Sequence, residues 1–351
     1  MNVDARCIAL FVSLFLSAAA SGQRLQITSA DCQDCHSQAA MQPSTTMGHA
    51  LETVEASTVL TTHPLLTTDV GKYHYRIVRN RNRSIYSVTD GSRTITMPIR
   101  WAVGASFAIG QTYILEKDGK FYESRVSWFR ELKGLGPTLG SQNIAPANLE
   151  DAVGRLMSHD DLVQCLGCHS TNAVSRENLT LQTMVPGVQC GHCHGDLAKH
   201  LSDEFGATVF SQQLPGQSFH LKSRSAEDVA DFCGNCHRTW AQIASQGNPS
   251  IANVRFQPYR LTESQCFDPE DKRISCLACH DPHKEVDSKP ADYDADCKSC
   301  HGGGKSGAKS CRVSNSNCVT CHMPKLELPG AHFRFTDHRI RIVKPGEPYP
   351  G

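Results

Sequence analysis

SCLACHDPHKEV (275–286), DADCKSCHGGG (294–304) and SNCVTCHM (316–323) decide how this chain is read. Cys-x-x-Cys-His occurs here three times in fewer than fifty residues, with equal steps of 21 between the first cysteines, Cys276, Cys297 and Cys318. The pattern is completed by Cys279 and His280, Cys300 and His301, and Cys321 and His322. It recurs upstream as Cys32, Cys35 and His36; Cys165, Cys168 and His169; Cys190, Cys193 and His194; and Cys233, Cys236 and His237, which makes seven. This is the attachment signature of c-type haem. Two thiols about one helical turn apart form thioethers to the two vinyl groups of one porphyrin, and the adjacent imidazole ligates the iron. Structural zinc also uses Cys-x-x-Cys pairs, but it joins them into four-ligand sites and does not require a histidine after every second cysteine. A thioredoxin-like motif would come once, inside a βαβ unit.

Outward from these motifs, the chain opens MNVDARCIALFVSLFLSAAASGQ (1–23). A polar start with Arg6, an apolar run over 7–16 and small residues up to Gly22 read as a secretory signal, residues 1–22, with a signal anchor as the alternative. The mature chain is expected to be periplasmic or otherwise exported, without a transmembrane segment. Side-chain formal charge is zero over 351 residues, which gives no electrostatic case for nucleic acid. Seven haems would add up to fourteen propionates, so the holoprotein is expected to be more acidic than this balance.

The expected fold is a mostly α and irregular multihaem cytochrome c wrapped around seven haems. Between haem 1 (segment 23–66) and haem 2, a small antiparallel β insertion of four to six strands is expected over 67–142. Its signals are the alternation through Tyr73, Tyr75 and Ile77, the runs 85–88 and 94–99, and the hairpin TYILEK/KFYESRVSWF across Asp118-Gly119. LKGLGPTLGSQNIAP (132–146) reads as the linker into a hexahaem region, 143–351. Helices are expected in NLEDAVGRLMSHDDLVQC (148–165) and in SRSAEDVADFCGNCHRTWAQIA (223–244), the latter with Ser225 as N-cap. The spacing before haem 2 puts haem 1 at one end of the array.

Cys266 and Cys311 are left after the motifs and the leader are removed. In an exported chain they are expected to form a disulfide worth roughly 3–4 kcal/mol, with two thiols as the alternative. Of 17 histidines, seven close motifs and His192 lies inside one. His49, His63, His74, His159, His200, His220, His283, His332 and His338 remain for seven sixth positions. His49, His159 and His220 are candidate ligands. His63 stays open between ligand and surface residue, and His74, in a strand, reads as structural. Met47 competes with His49 for one iron.

GVQCGHCHGDLAKH (187–200), CLACHDPHKEV (276–286) and CVTCHMPKLELPGAHFRFTDHRIRI (318–342) resemble segments of exported bacterial multihaem cytochromes related to the nitrifiers' tetrahaem cytochrome c. The resemblance implies closely packed haem pairs and electron transfer. It also implies distal iron ligation by His200, His283 and His338, with His332 similarly placed. His283 lies only three residues after His280, too short a link to pass round a porphyrin edge, so as a ligand it must serve a different haem. The expected function is periplasmic electron transfer through seven covalently bound, mostly bis-histidine haems, with a quinol-oxidising membrane module or other cytochromes as partners and oligomers or filaments left open. The alternative is a multihaem oxidoreductase acting on a small nitrogen or sulfur substrate at one open haem. No Cys-x-x-Cys-Lys variant is present to mark such a site.

Overall fold

The computed structural model describes residues 32–33, 36–195, 221–245, 251–302 and 309–344. The expected leader 1–22, Cys35, His200 and His220 lie outside the described residues.

A ten-stranded antiparallel sheet, curled into a half-barrel, organises the N-terminal half. Its strands are β1 (Leu51–Thr53), β2 (Leu65–Val70), β3 (Tyr73–Asn80), β4 (Arg83–Thr89), β5 (Thr94–Val103), β6 (Gly110–Lys117), β7 (Lys120–Ser124), β8 (Val126–Phe129), β9 (Gly134–Pro137) and β10 (Gly154–Leu156). The spatial order is β10-β7-β6-β5-β4-β3-β2, with β1 on β5 and with β8 joining β6 to β9. Alternation puts Tyr73, Tyr75, Ile77, Tyr86, Val88, Tyr113 and Leu115 on the concave face, where they form the main core with Trp128, Leu149 and Val153. The β6–β7 turn is made by Asp118 and Gly119, both at positive φ (52° and 72°), as a two-residue primed turn requires.

This corrects the expectation of a mostly α and irregular fold with a small β insertion: the sheet is the largest element, and most described helices span one or two turns. The missed strands lack the alternation of half-buried β structure. Gly134–Pro137 is so rich in glycine that it reads as a linker, yet it pairs with β8 along its whole length. Gly154–Leu156 sits inside an apparent helical run, which Gly154 interrupts at φ 145°. The run therefore becomes α2 (Leu149–Val153), β10 and α3 (His159–His169). KFYESRVSWF likewise divides at Arg125 into β7 and β8.

A register break between Ile99 and Trp101 lets β5 serve two faces. Ile99 and Ala102 point into the main core, whereas Trp101 turns to the convex face. There it joins Leu51, Ile114, Met157, Leu162 and Leu166 in a second cluster. Helix α3, which carries the second Cys-x-x-Cys-His motif, is bolted to the sheet through this cluster. Ser158 and Asp161 cap its start reciprocally, which satisfies two otherwise orphaned amides.

Beyond residue 186 the described residues form helices and loops, apart from one short antiparallel pair, Lys325–Glu327 with Arg334–Thr336. The described helices are α4 (Cys190–His194), α5 (Ala226–His237), α6 (Trp240–Ser245), α7 (Gln257–Thr262), α8 (Cys276–Cys279), α9 (Asp294–His301) and α10 (Cys318–His322). Ser225 caps α5 by accepting from the Asp228 amide, and Arg238 ends it at φ 67°. No helix among the described residues is long and apolar enough to cross a membrane.

Gly154 is the joint between sheet and motif helix. A Cβ there would run into the Glu123 carbonyl across the β7–β10 pair, at a φ that L-residues rarely adopt. Gly154→Ala should therefore destabilise the fold by about 1–3 kcal/mol, seen as a lowered denaturant midpoint, whereas Gly91→Ala, in an open turn, should cost less.

Candidate functional site

Six of the seven motifs lie on or at the end of a described helix: α3, α4, α5, α8, α9 and α10. In each, the cysteines stand three apart, one turn along the same face, and the histidine closes or follows the helix. For the first motif, Cys32 and His36 are described, and the His36 amide donates to the Cys32 carbonyl at 2.9 Å.

Several imidazoles are held by their Nδ1 atoms. His169 donates to the Ala50 carbonyl (3.0 Å), His301 to Lys309 (2.8 Å), His322 to Arg341 (2.9 Å) and His338 to Thr336 (3.0 Å). A proton fixed on Nδ1 leaves Nε2 with a free lone pair, the state in which histidine binds metal. Burial also pushes the pKa of His169, His194, His237 and His280 down, and that of His338 to about 4. These rings are neutral at physiological pH, as ligation demands.

Two pairs of rings face each other. His194 and His283 have ring centres 6.1 Å apart and planes within 19°; His280 and His338 stand 6.3 Å apart at 45°. Two imidazoles bound on opposite sides of one metal by bonds of about 2.0–2.1 Å have their centres roughly 6 Å apart. His283 thus stands beside the histidine of the third motif, not that of its own. Among the described residues no three His, Cys, Asp or Glu side chains converge as a metal site, so the cysteine pairs are not combined as structural zinc requires. The donor set of a Cys-x-x-Cys-His motif fits covalently bound haem.

The motifs lie close to one another, though not in chain order. Cys168 and Cys236 lie side by side, and Cys168 Sγ is 3.7 Å from the Asn235 carbonyl, joining motifs two and four. His192 Nε2 is 4.0 Å from Cys236 Sγ, joining three to four. Cys233 lies beside Cys276, joining four to five, and Cys297 lies near both Cys279 and Cys318, linking five, six and seven. Asp294 clamps the last contact by accepting from the Asn317 and Cys318 amides at 2.8 and 2.9 Å. His36 is close enough to His194 to lower its pKa after burial and His283 have done so, which sets motif one beside motif three.

The other candidate ligands have varied surroundings. His49 places Nδ1 2.9 Å from Oε1 of Glu52, a carboxylate 2% exposed that also accepts from Gln111 and Ser106. His159 is on the exposed first turn of α3, against Asp160. His332, at φ 50°, packs edge-on to Phe129 at 4.9 Å. His63 caps α1 (Thr58–Thr62) with Nδ1 3.1 Å from the Val59 carbonyl. His74 pairs with Asp69 on the exposed face of β3. The expected Cys266–Cys311 bridge is corrected: both thiols are exposed and unbridged. Cys266 lies near Cys300, whereas Cys311 accepts from the Val313 and Ser314 amides in a turn of its own.

Sequence reasoning missed the network that sets His338. Arg260 and Asp337 are both fully buried and share two hydrogen bonds, of 2.8 and 3.0 Å. Glu263 and Arg341 complete the network. Burial alone would raise the Asp337 pKa; the two arginines overcome it and hold the carboxyl below its usual value. The signal was an aspartate directly before a candidate ligand, with an unassigned arginine upstream.

Residues 138–195, which span motifs two and three, match the family model described as cytochrome c554 and c-prime. No curated protein and no solved structure matches the chain. The match supports a c-type cytochrome with covalently bound haem c and a haem-based electron-transfer role.

Removing one partner of the buried pair strands the other charge. Asp337→Asn should cost about 3–5 kcal/mol in chemical denaturation and disturb the low-spin signal of one haem in EPR. The same change at exposed Asp69 should leave both measurements unaltered.

Proposed function

We propose that this chain is an exported, periplasmic electron-transfer protein carrying seven haem c groups, one on each Cys-x-x-Cys-His motif. The observation that carries the reading is the close placing of the motifs: one lies near three, four beside two, three and five, and six between five and seven. Bound there, haem supplies a one-electron couple whose potential the axial ligands tune. The chain's part is to hold each imidazole in one orientation and to keep neighbouring sites close.

His283 and His338 are the sixth ligands this reading assigns to the irons of His194 and His280. The supporting geometry is the pair of ring separations, 6.1 and 6.3 Å. Histidine on both faces suits electron transfer, because neither oxidation state has to gain or lose a ligand. For the other irons His49, His159 and His332, with His200 and His220 outside the described residues, are the candidates. Redox proteins such as a quinol-oxidising membrane module or another cytochrome are the fitting partners.

Mass spectrometry of the purified protein should find seven haem additions on a chain lacking residues 1–22. His283→Ala should keep all seven, because no thioether is touched, yet convert one haem from low to high spin and open it to carbon monoxide. An unchanged spin count would remove His283 from the ligand set. A wild-type high-spin ferric signal integrating to one haem would instead favour a substrate-binding iron.

A further inference from the structure

Several arginines in the C-terminal half of this protein meet carboxylates. Arg260 is answered by Asp337 and Glu263, and Arg341 by Asp337. Arg255 is the contrast. It ends the 3-10 turn Ile251–Arg255, just before α7, with its guanidinium over the ring of Phe256 at 4.9 Å. Its Nε is buried without a hydrogen-bond partner.

Among the described residues no carboxylate acts on this charge. Burial pushes the Arg255 pKa down, and the second influence is another cation, Arg238. Arg238 directly follows His237, in a left-handed conformation that turns the chain out of α5, and its charge reaches both Cys168 and Cys236. Two guanidinium groups therefore gather where motifs two and four meet, and Gln257 lies against the ring of His237. Neighbouring cations, one with a desolvated and unpaired donor, are costly unless an anion joins them. Guanidinium groups bind carboxylates and oxyanions through charge-assisted, often bidentate, hydrogen bonds.

We propose that Arg255 and Arg238 form an anion site beside His237, built for a carboxylate or a small oxyanion. The carboxylate at hand is a haem propionate; the other source is an oxyanion from solution. The inference rests on the fourth motif carrying haem, and it adds a group that sets the potential at the motif that lies beside three others. A positive charge nearby favours the reduced haem, so losing an arginine lowers the potential.

The test uses the full holoprotein and the variants Arg255→Gln, Arg238→Gln and Arg255→Lys. Peptide mass spectrometry first establishes haem on Cys233 and Cys236; its absence there defeats the parent reading, not this one alone. In spectropotentiometric titration, both glutamine variants should move the same one or two haem waves to lower potential, with the others fixed and haem content intact. Arg255→Lys, which keeps the charge, should move them less. With a propionate as the anion, the wild-type waves do not respond to millimolar sulfate, sulfite or nitrite. With an anion from solution they do respond, and Arg255→Gln abolishes the response. Full haem content with unchanged waves in both glutamine variants, and no response to added anions, overturns the proposal.

Discussion

Everything in the C-terminal half depends on one local constraint: two thiols and an imidazole must share a single turn of helix. A turn of four or five residues is not stable alone, because nucleation fixes several dihedrals for one hydrogen bond. The protein therefore stabilises each turn from outside. Helix α3 gains a capping box and an apolar seam on the sheet, α5 gains Ser225 and a third turn, and α10 gains Asp294 across its first amides. Even α8, four residues long, has Cys276 beside Cys233 of α5. Contact between motifs is thus part of what orders the turns, and the closeness needed for electron exchange follows from the same contacts.

The sheet solves a different problem. Its concave face is filled by tyrosine, leucine and valine, an apolar core that owes nothing to cysteine or to any cofactor. Its convex face carries the second motif. The register break beside Arg100 is what makes both possible, since without it Ile99 and Trp101, two residues apart, would share one face. The β1 end of the same sheet is tied in as well: Ala50, next to β1, holds the ring of His169, and its neighbours Met47 and Gly48 bond to Val188 and Gln189 just before the third motif. A rigid, self-sufficient platform therefore fixes the position of two motifs, and the later motifs are built outward from them.

This division explains what could be read from the sequence. Cys-x-x-Cys-His is legible because covalent chemistry dictates it, and the β3–β4 and β6–β7 hairpins are legible because alternation and Asp118-Gly119 dictate them. The extent of the sheet was not. Strands β9 and β10 are held by backbone pairing, which leaves almost no side-chain pattern: one reads as a Gly-rich linker and the other as the middle of a helix. The Cys266–Cys311 expectation failed for a related reason. Elimination of other partners says nothing about distance, and each thiol sits in its own local environment.

The histidines show the same limit at finer scale. Counting separated motif residues from the rest, and chain length alone excluded His283 from the haem of His280. Yet nothing in the residue string says that His283 faces His194, or that the ring of His338 is set by a buried salt bridge between residues 77 positions apart, Arg260 and Asp337. Such a pair contributes little net stability, because desolvation offsets much of the attraction. Its geometry is where it differs from an apolar contact. Two parallel hydrogen bonds hold the Asp337 backbone in one orientation, and His338 is the next residue. On the proposed reading, in which His338 is an axial ligand, an imidazole that cannot tilt would keep its iron in the same surroundings in both oxidation states. Packing supplies cohesion to the sheet half, and directional polar anchors supply orientation to the motif half.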